Sequence, residues 1–187
     1  MEILAPVFGI FTSFILLYYL SSLNRSNVFL ALFFLCCNLV VLVYFGLHYS
    51  KIEFWEGVCF VHFLPLSFLL GPLLFFYVKY SVSKHKGFRQ IDALHMLPAA
   101  FVVMVCWPFT SLPFDVKTKM AHEIVNITED YRLDFSWLTF EQLLYGRSIH
   151  LIIYAFSSVI YFFWNKKILI KKYGMIPSNH YVIKRWF

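Results

Sequence analysis

Five long apolar stretches alternate with short polar ones along the chain, at about 3–23, 28–49, 54–81, 93–112 and 137–164. Within each stretch the apolar residues run on continuously, with no strict alternation, and each is near the ~20 residues that cross a bilayer core as a helix. In the third, positions 57–78 are 22 residues without a charge, about 33 Å of helix at 1.5 Å per residue. Strands fit poorly, because a five-stranded open sheet leaves edge N–H and C=O groups unsatisfied in lipid. The pattern predicts an all-α fold: a polytopic membrane helix bundle of about five transmembrane helices, making one transmembrane domain over 1–187.

The polar intervals set the connections. Asn24 to Asn27 form a tight turn that makes the first two spans an antiparallel pair. The 113–136 interval is the one sizeable polar segment, an extracytoplasmic loop with a short amphipathic piece expected around Val116–Val125. Asn126, Ile127 and Thr128 match a glycosylation sequon, a short pattern that is common by chance. At the N-terminus, MEILAPVFGIFTSFILLYYLSS has no positive n-region and an apolar core too long for a leader, so it reads as a retained first span. Residues 165–187 form a basic cytoplasmic tail whose last eight, HYVIKRWF, read as the start of a sixth helix. The chain therefore reads as a truncated or split form of a longer protein.

Charge gives the orientation. The odd-numbered connections and tail carry eleven cations: Arg25, Lys79, Lys84, Lys86, Arg89, Lys166, Lys167, Lys171, Lys172, Lys184 and Arg185. The even-numbered ones carry four: Lys51, Lys117, Lys119 and Arg132. Clustered Lys and Arg stay cytoplasmic, so the N-terminus is predicted outside and the C-terminus inside. Lys79, Lys84, Lys86, Arg89, Lys166, Lys167, Lys171 and Lys172 are the expected cytoplasmic anchors. Composition agrees: 60% hydrophobic and 14% charged residues, with a mean hydropathy of +0.70, against about 25% charged in soluble domains. The net charge of +6 lies at the ends of apolar runs, which marks membrane edges and anionic headgroups, not nucleic acid.

Ionisable groups inside spans are candidates for function, since placing them there is costly. His62, His95, Arg147 and His150 qualify. Arg147 and His150 are three apart and share a helical face. With His62 they would form a polar pocket, open to the outer face, for an anionic or amphipathic ligand. The alternative is an Arg147 that snorkels to headgroups and histidines bonded to neighbouring helices. Pro65, Pro72, Pro98 and Pro108 lie within spans and can kink them, with Gly71 and Pro72 the candidate hinge. Gly9, Ser13 and Ala31 are small residues suited to close helix contacts. Tyr77 and Tyr80 are read first as interfacial aromatics and second as a binding cage.

Other chemistry is poorly supplied. His48 and His62 are separated by Lys51, Glu53 and Glu56 and so fall on different spans, which sets haem aside. Cys36, Cys37, Cys59 and Cys106 all lie in apolar segments without zinc-type spacing. No nucleophile motif is present, and the nearest acids, Glu141 and Asp92, are at opposite membrane edges. No metal, cofactor or enzyme activity is expected.

One block carries a family resemblance. LLGPLLFFYVK at 69–79, with Gly71, Pro72 and Tyr77, is followed by the basic loop 79–89 and by LHMLP at 94–98, with His95 and Pro98. Together with QLLY at 142–145, the tail at 166–173 and IKRW at 183–186, it resembles the membrane-embedded half of AraC-type transcriptional regulators found in Bacteroidetes. The resemblance implies a seven-span, N-out sensor followed by a cytoplasmic helix-turn-helix domain, and it implies homodimerisation. These residues contain no helix-turn-helix, so DNA is a partner only through a domain absent from this chain. The expectation is a sensory module in the lipid bilayer responding to an extracytoplasmic or membrane ligand. The alternative is a small transporter or permeation subunit, disfavoured by the acid-poor spans.

Overall fold

Pro65 decides how the third apolar run folds. A proline inside a helix loses a backbone bond and clashes with the carbonyl four residues back, whereas in a first turn it costs nothing. In the computed structural model of the protein, helix α3 (Glu53–Cys59) accordingly ends before it and α4 (Leu64–Val82) begins one residue before it. Tight bonds close the intervening turn, Leu64 N–H to the Val61 carbonyl at 3.0 Å and Leu66 N–H to that of Phe63 at 3.1 Å. The single span expected over 54–81 is thus two helices.

The structure describes residues 3–20, 25–49, 52–82, 88–126 and 137–173, without the side chains of 20, 25, 124–126 and 166–173. Among them everything regular is helical: α1 (Leu4–Leu20), α2 (Arg25–His48), α3, α4, a 3-10 segment (Gln90–Met96), α5 (Leu97–Thr110), α6 (Phe114–Asn126) and α7 (Phe140–Tyr173). Among the described residues, four stretches are long and apolar enough to cross a membrane, Ser26–His48, Leu64–Val82, Gln90–Thr110 and Phe140–Asn165, and α1 is a shorter apolar helix. This is the build of a multi-pass membrane protein.

Local sequence explains most ends. α7 starts with a capping box: the Thr139 N–H donates to Gln142 Oε1 at 3.0 Å and the Gln142 N–H to Thr139 Oγ1 at 3.2 Å. Pro98 falls in the first turn of α5, where the 3-10 segment gives way to α-helix. Pro72 and Pro108, by contrast, lie inside α4 and α5, and both helices continue through them. Gly71 and Pro72, expected as a hinge, are buried in an unbroken helix. α6 supplies the amphipathic piece expected around Val116–Val125. α7 carries on past its apolar part through Lys166, Lys167, Lys171 and Lys172, and its 34 residues make about 51 Å of helix, well beyond a 30 Å core.

Side-chain pairs fix the directions. Gly9 of α1 lies against Asn38 of α2, at similar distances from the short interval that joins them, so the two are antiparallel. Phe29 of α2 packs on Phe76 and Tyr80 of α4 while Gly46 of α2 lies against Cys59, just before α4, so α2 runs antiparallel to α4 as well. Phe76 meets His95, while Phe60 meets Phe109, so α5 returns antiparallel to α4. Phe68 meets His150 and Phe75 meets Tyr161, so α7 runs parallel to α4. Hence α1, α4 and α7 point one way and α2 and α5 the other. Ser13 and Ala31 are buried at helix contacts, as their size suggests. The main apolar core, including Phe60, Val61, Phe68, Val102, Phe109 and Leu143, gathers at the end where α3 and α6 sit. Phe8, Phe11, Phe14 and Tyr18 of α1 face outward, as lipid-facing residues do. Ile127 and Thr128 of the sequon, the end of the loop to 136 and the tail from 174 lie outside the described residues.

Candidate functional site

The seam between α4, α7 and the 3-10 segment carries a row of buried polar groups. At its lower end the Asp92 side chain is buried. It accepts hydrogen bonds from the Lys79 ammonium, from the Tyr80 hydroxyl, and from the Arg89 N–H at 3.1 Å. Lys79 and Tyr80 occupy the last turn of α4, so the carboxylate ties the 3-10 segment to the helix it follows. A buried carboxylate is tolerable only when a countercharge and several donors meet it, and here they do. The Lys79 ammonium also lies 6.0 Å from the Phe75 ring centre and 5.9 Å from that of Tyr80, within cation–π range.

One helical turn on, His95 Nδ1 is 2.8 Å from the Tyr154 hydroxyl of α7. The His95 ring is held by Phe75 and Phe76, at 5.2 and 5.4 Å between centroids. Tyr154 fits because position 71 is glycine: a Cβ there would stand 2.9 Å from Tyr154 Cβ and Cδ2, a contact real Cβ atoms avoid. Tyr154 therefore touches α4 through its ring and the 3-10 segment through its hydroxyl.

Above Tyr154 on the same face of α7 stands His150, its ring 4.7 Å from that of Tyr154 and 5.5 Å from that of Phe68. Both ring nitrogens are buried without a hydrogen-bond partner. Arg147, a turn higher, is half-buried, and no hydrogen bond or ion pair reaches its guanidinium among the described residues. His62 is placed elsewhere. It lies on the turn between α3 and α4, with its ring 5.7 Å from Phe109 of α5 and its Nδ1 buried without a partner. Of the expected trio, Arg147 and His150 share a stripe of α7, while His62 turns to α5.

A second polar contact closes the upper end. Glu56 of α3 is buried and its Oε2 is 2.8 Å from His122 Nδ1 of α6. Gly57 lets α6 lie close, since a Cβ there would be 2.6 Å from Thr118 Cγ2. Lys117 Nζ donates to the Thr110 carbonyl at 2.6 Å, fixing the α5–α6 corner. The hydrogen bond to Glu56, and then its charge, hold the His122 pKa above the ordinary histidine value.

Tyr77 is half-buried on α4, and Tyr80 stacks on Phe29 at 5.3 Å while serving Asp92, so it belongs to that carboxylate's shell and not to a cage. Arg89 is exposed and contributes its backbone. Lys84 and Lys86 lie outside the described residues, as do the side chains of Lys166, Lys167, Lys171 and Lys172. Asp92 as a hub, Tyr154 and the Glu56–His122 pair have no local signal along the chain. Partners 12, 59 and 66 positions apart leave no periodicity to read. Comparison with known family models, with curated proteins and with solved structures finds no match.

Proposed function

We propose that the chain is the sensory module of a membrane signalling protein, multi-pass in a bacterial inner membrane, with its N-terminus outside and its C-terminal tail in the cytoplasm. Five crossings in alternating direction bring the ends of α1, α4 and α7 to one side, which is the side of Lys79, Arg89 and the basic turns of α7. That supports this orientation under the positive-inside rule. α3 and α6 then form an outer cap.

The observation that carries the reading is Tyr154. Its ring occupies the space left by Gly71 and its hydroxyl meets His95, and His95 is one turn from the Asp92–Lys79 pair. A change around His150 therefore reaches the cytoplasmic end of α4 through touching groups. A ligand that prefers one packing of α7 on α4 would shift the population between two arrangements of that end. The two blocks of the AraC-type resemblance, GPLL and LHMLP, meet on the same tyrosine, which supports the sensor half of such a regulator. Gene control and dimerisation would then need a helix-turn-helix domain of the kind the resemblance implies.

The second reading is a small transporter, because His150, Tyr154, His95 and Asp92 make a row of titratable groups along the seam. Spin labels at Gln90 and Trp164, both exposed, separate the two. The sensor reading predicts a shift in their distance distribution when ligand is added and no proton flux in sealed vesicles. Flux with an unchanged distance would overturn it in favour of transport.

A further inference from the structure

We propose that Arg147 and His150 form a binding site for the anionic head of a membrane amphiphile, a carboxylate or phosphate, whose acyl chain lies along α7. The inference gives the sensor its ligand class and rests on that reading for its consequence, although the binding itself does not.

Three observations converge. Arg147 sits in an apolar spanning segment with no countercharge among the described residues, where an unpaired arginine is costly. One turn below, His150 offers both ring nitrogens, buried and unused; a neutral imidazole has one donor and one acceptor, and an imidazolium has two donors. Below that, the aromatic wall of Phe68 and Tyr154 closes the site. A guanidinium binds carboxylate or phosphate oxygens in bidentate fashion, and the histidine can donate to the same head.

Depth and surroundings select an amphiphile over a soluble anion. The spanning part of α7, Phe140–Asn165, has 26 residues, about 39 Å against a core of about 30 Å, so Arg147, about 10 Å from its start, lies roughly 6 Å inside the core, within snorkelling reach of the headgroups. Ile153, three residues after His150 and so bordering the Arg147–His150 line, stands exposed and offers an apolar contact for the chain, while Ile149, Ile152 and Phe156 lie on the outward face of α7. A free fatty acid and an anionic phospholipid both supply this chemistry.

The test is a native mass spectrometry titration of the full chain in neutral alkyl-maltoside micelles. The probes are oleate, dioleoylphosphatidylglycerol and uncharged monoolein. The site predicts a saturable single adduct with an anionic probe and none with monoolein. Preference for oleate identifies a free acid, and preference for phosphatidylglycerol a lipid headgroup. Arg147→Gln should weaken the adduct by about tenfold or more, as loss of a charge-assisted bond does. Arg147→Lys should weaken it less. His150→Phe keeps the ring contacts and should weaken it also; if Arg147→Gln does not fold, this variant decides. Equal adducts with monoolein, or unchanged affinity in the folded variants, overturn the proposal. Adduct formation without a change in the Gln90–Trp164 distance would keep the site and overturn the sensor reading.

Discussion

Gly71 and Gly146 both face the contact between α4 and α7, and they differ in what a methyl group would meet. At Gly71 it meets the Tyr154 ring at 2.9 Å, and at Gly146 only Phe68 Cζ at 3.9 Å. Gly71→Ala should lower stability by about 1–3 kcal/mol, as overpacking does, whereas Gly146→Ala should be neutral or stabilising. Thermal unfolding in one detergent checks the pair. Asp92 makes the second case. Asp92→Ala leaves Lys79 facing a hole and should cost about 3–5 kcal/mol. The double change Asp92→Leu with Lys79→Met should cost clearly less, because no buried charge is then stranded. A single variant as destabilising as the double, or less so, would contradict the buried pair. At this scale the sequence marked Gly71, His95, Arg147 and His150 as unusual residues. It did not say that Gly71 makes room for a tyrosine 83 positions away, because helix contacts of that separation depend on packing alone.

The elements were legible where local chemistry sets them. The apolar runs became helices, and the amphipathic stretch after Pro113 became α6. The break between α3 and α4 was missed because hydropathy is blind to it: residues 60–63 are as apolar as their flanks, and only the need to keep Pro65 in a first turn separates the two. The Glu56–His122 contact joins α3 to α6 and has a pH signature. Since its partner raises the His122 pKa, the contact contributes fully below the ordinary histidine value and is lost as pH rises through the raised one. Hydrogen-exchange protection of α6 amides should fall across that window. His122→Gln should abolish the dependence, and a dependence that survives it would place the titrating group elsewhere.

For the whole molecule, the sequence yielded the class, all-helical and membrane-spanning, from run length and composition. The pairing of helices was not legible, because between spans in lipid there is little hydrophobic drive and contacts are chosen by small residues and shape. Packing α7 parallel to α4 through Tyr154 and Gly71 makes a seam along which His150, Tyr154, His95 and Asp92 follow one another. The proposed orientation fixes which side each end faces. The direct measurement is labelling of single cysteines by a membrane-impermeant maleimide in intact spheroplasts, with the four native cysteines replaced by alanine. Lys119→Cys on α6 and Gln90→Cys on the 3-10 segment, both exposed, are the reporters. With the N-terminus outside, position 119 should label in intact cells and position 90 only after permeabilisation. The reverse pattern, or equal labelling of both in intact cells, would contradict that orientation.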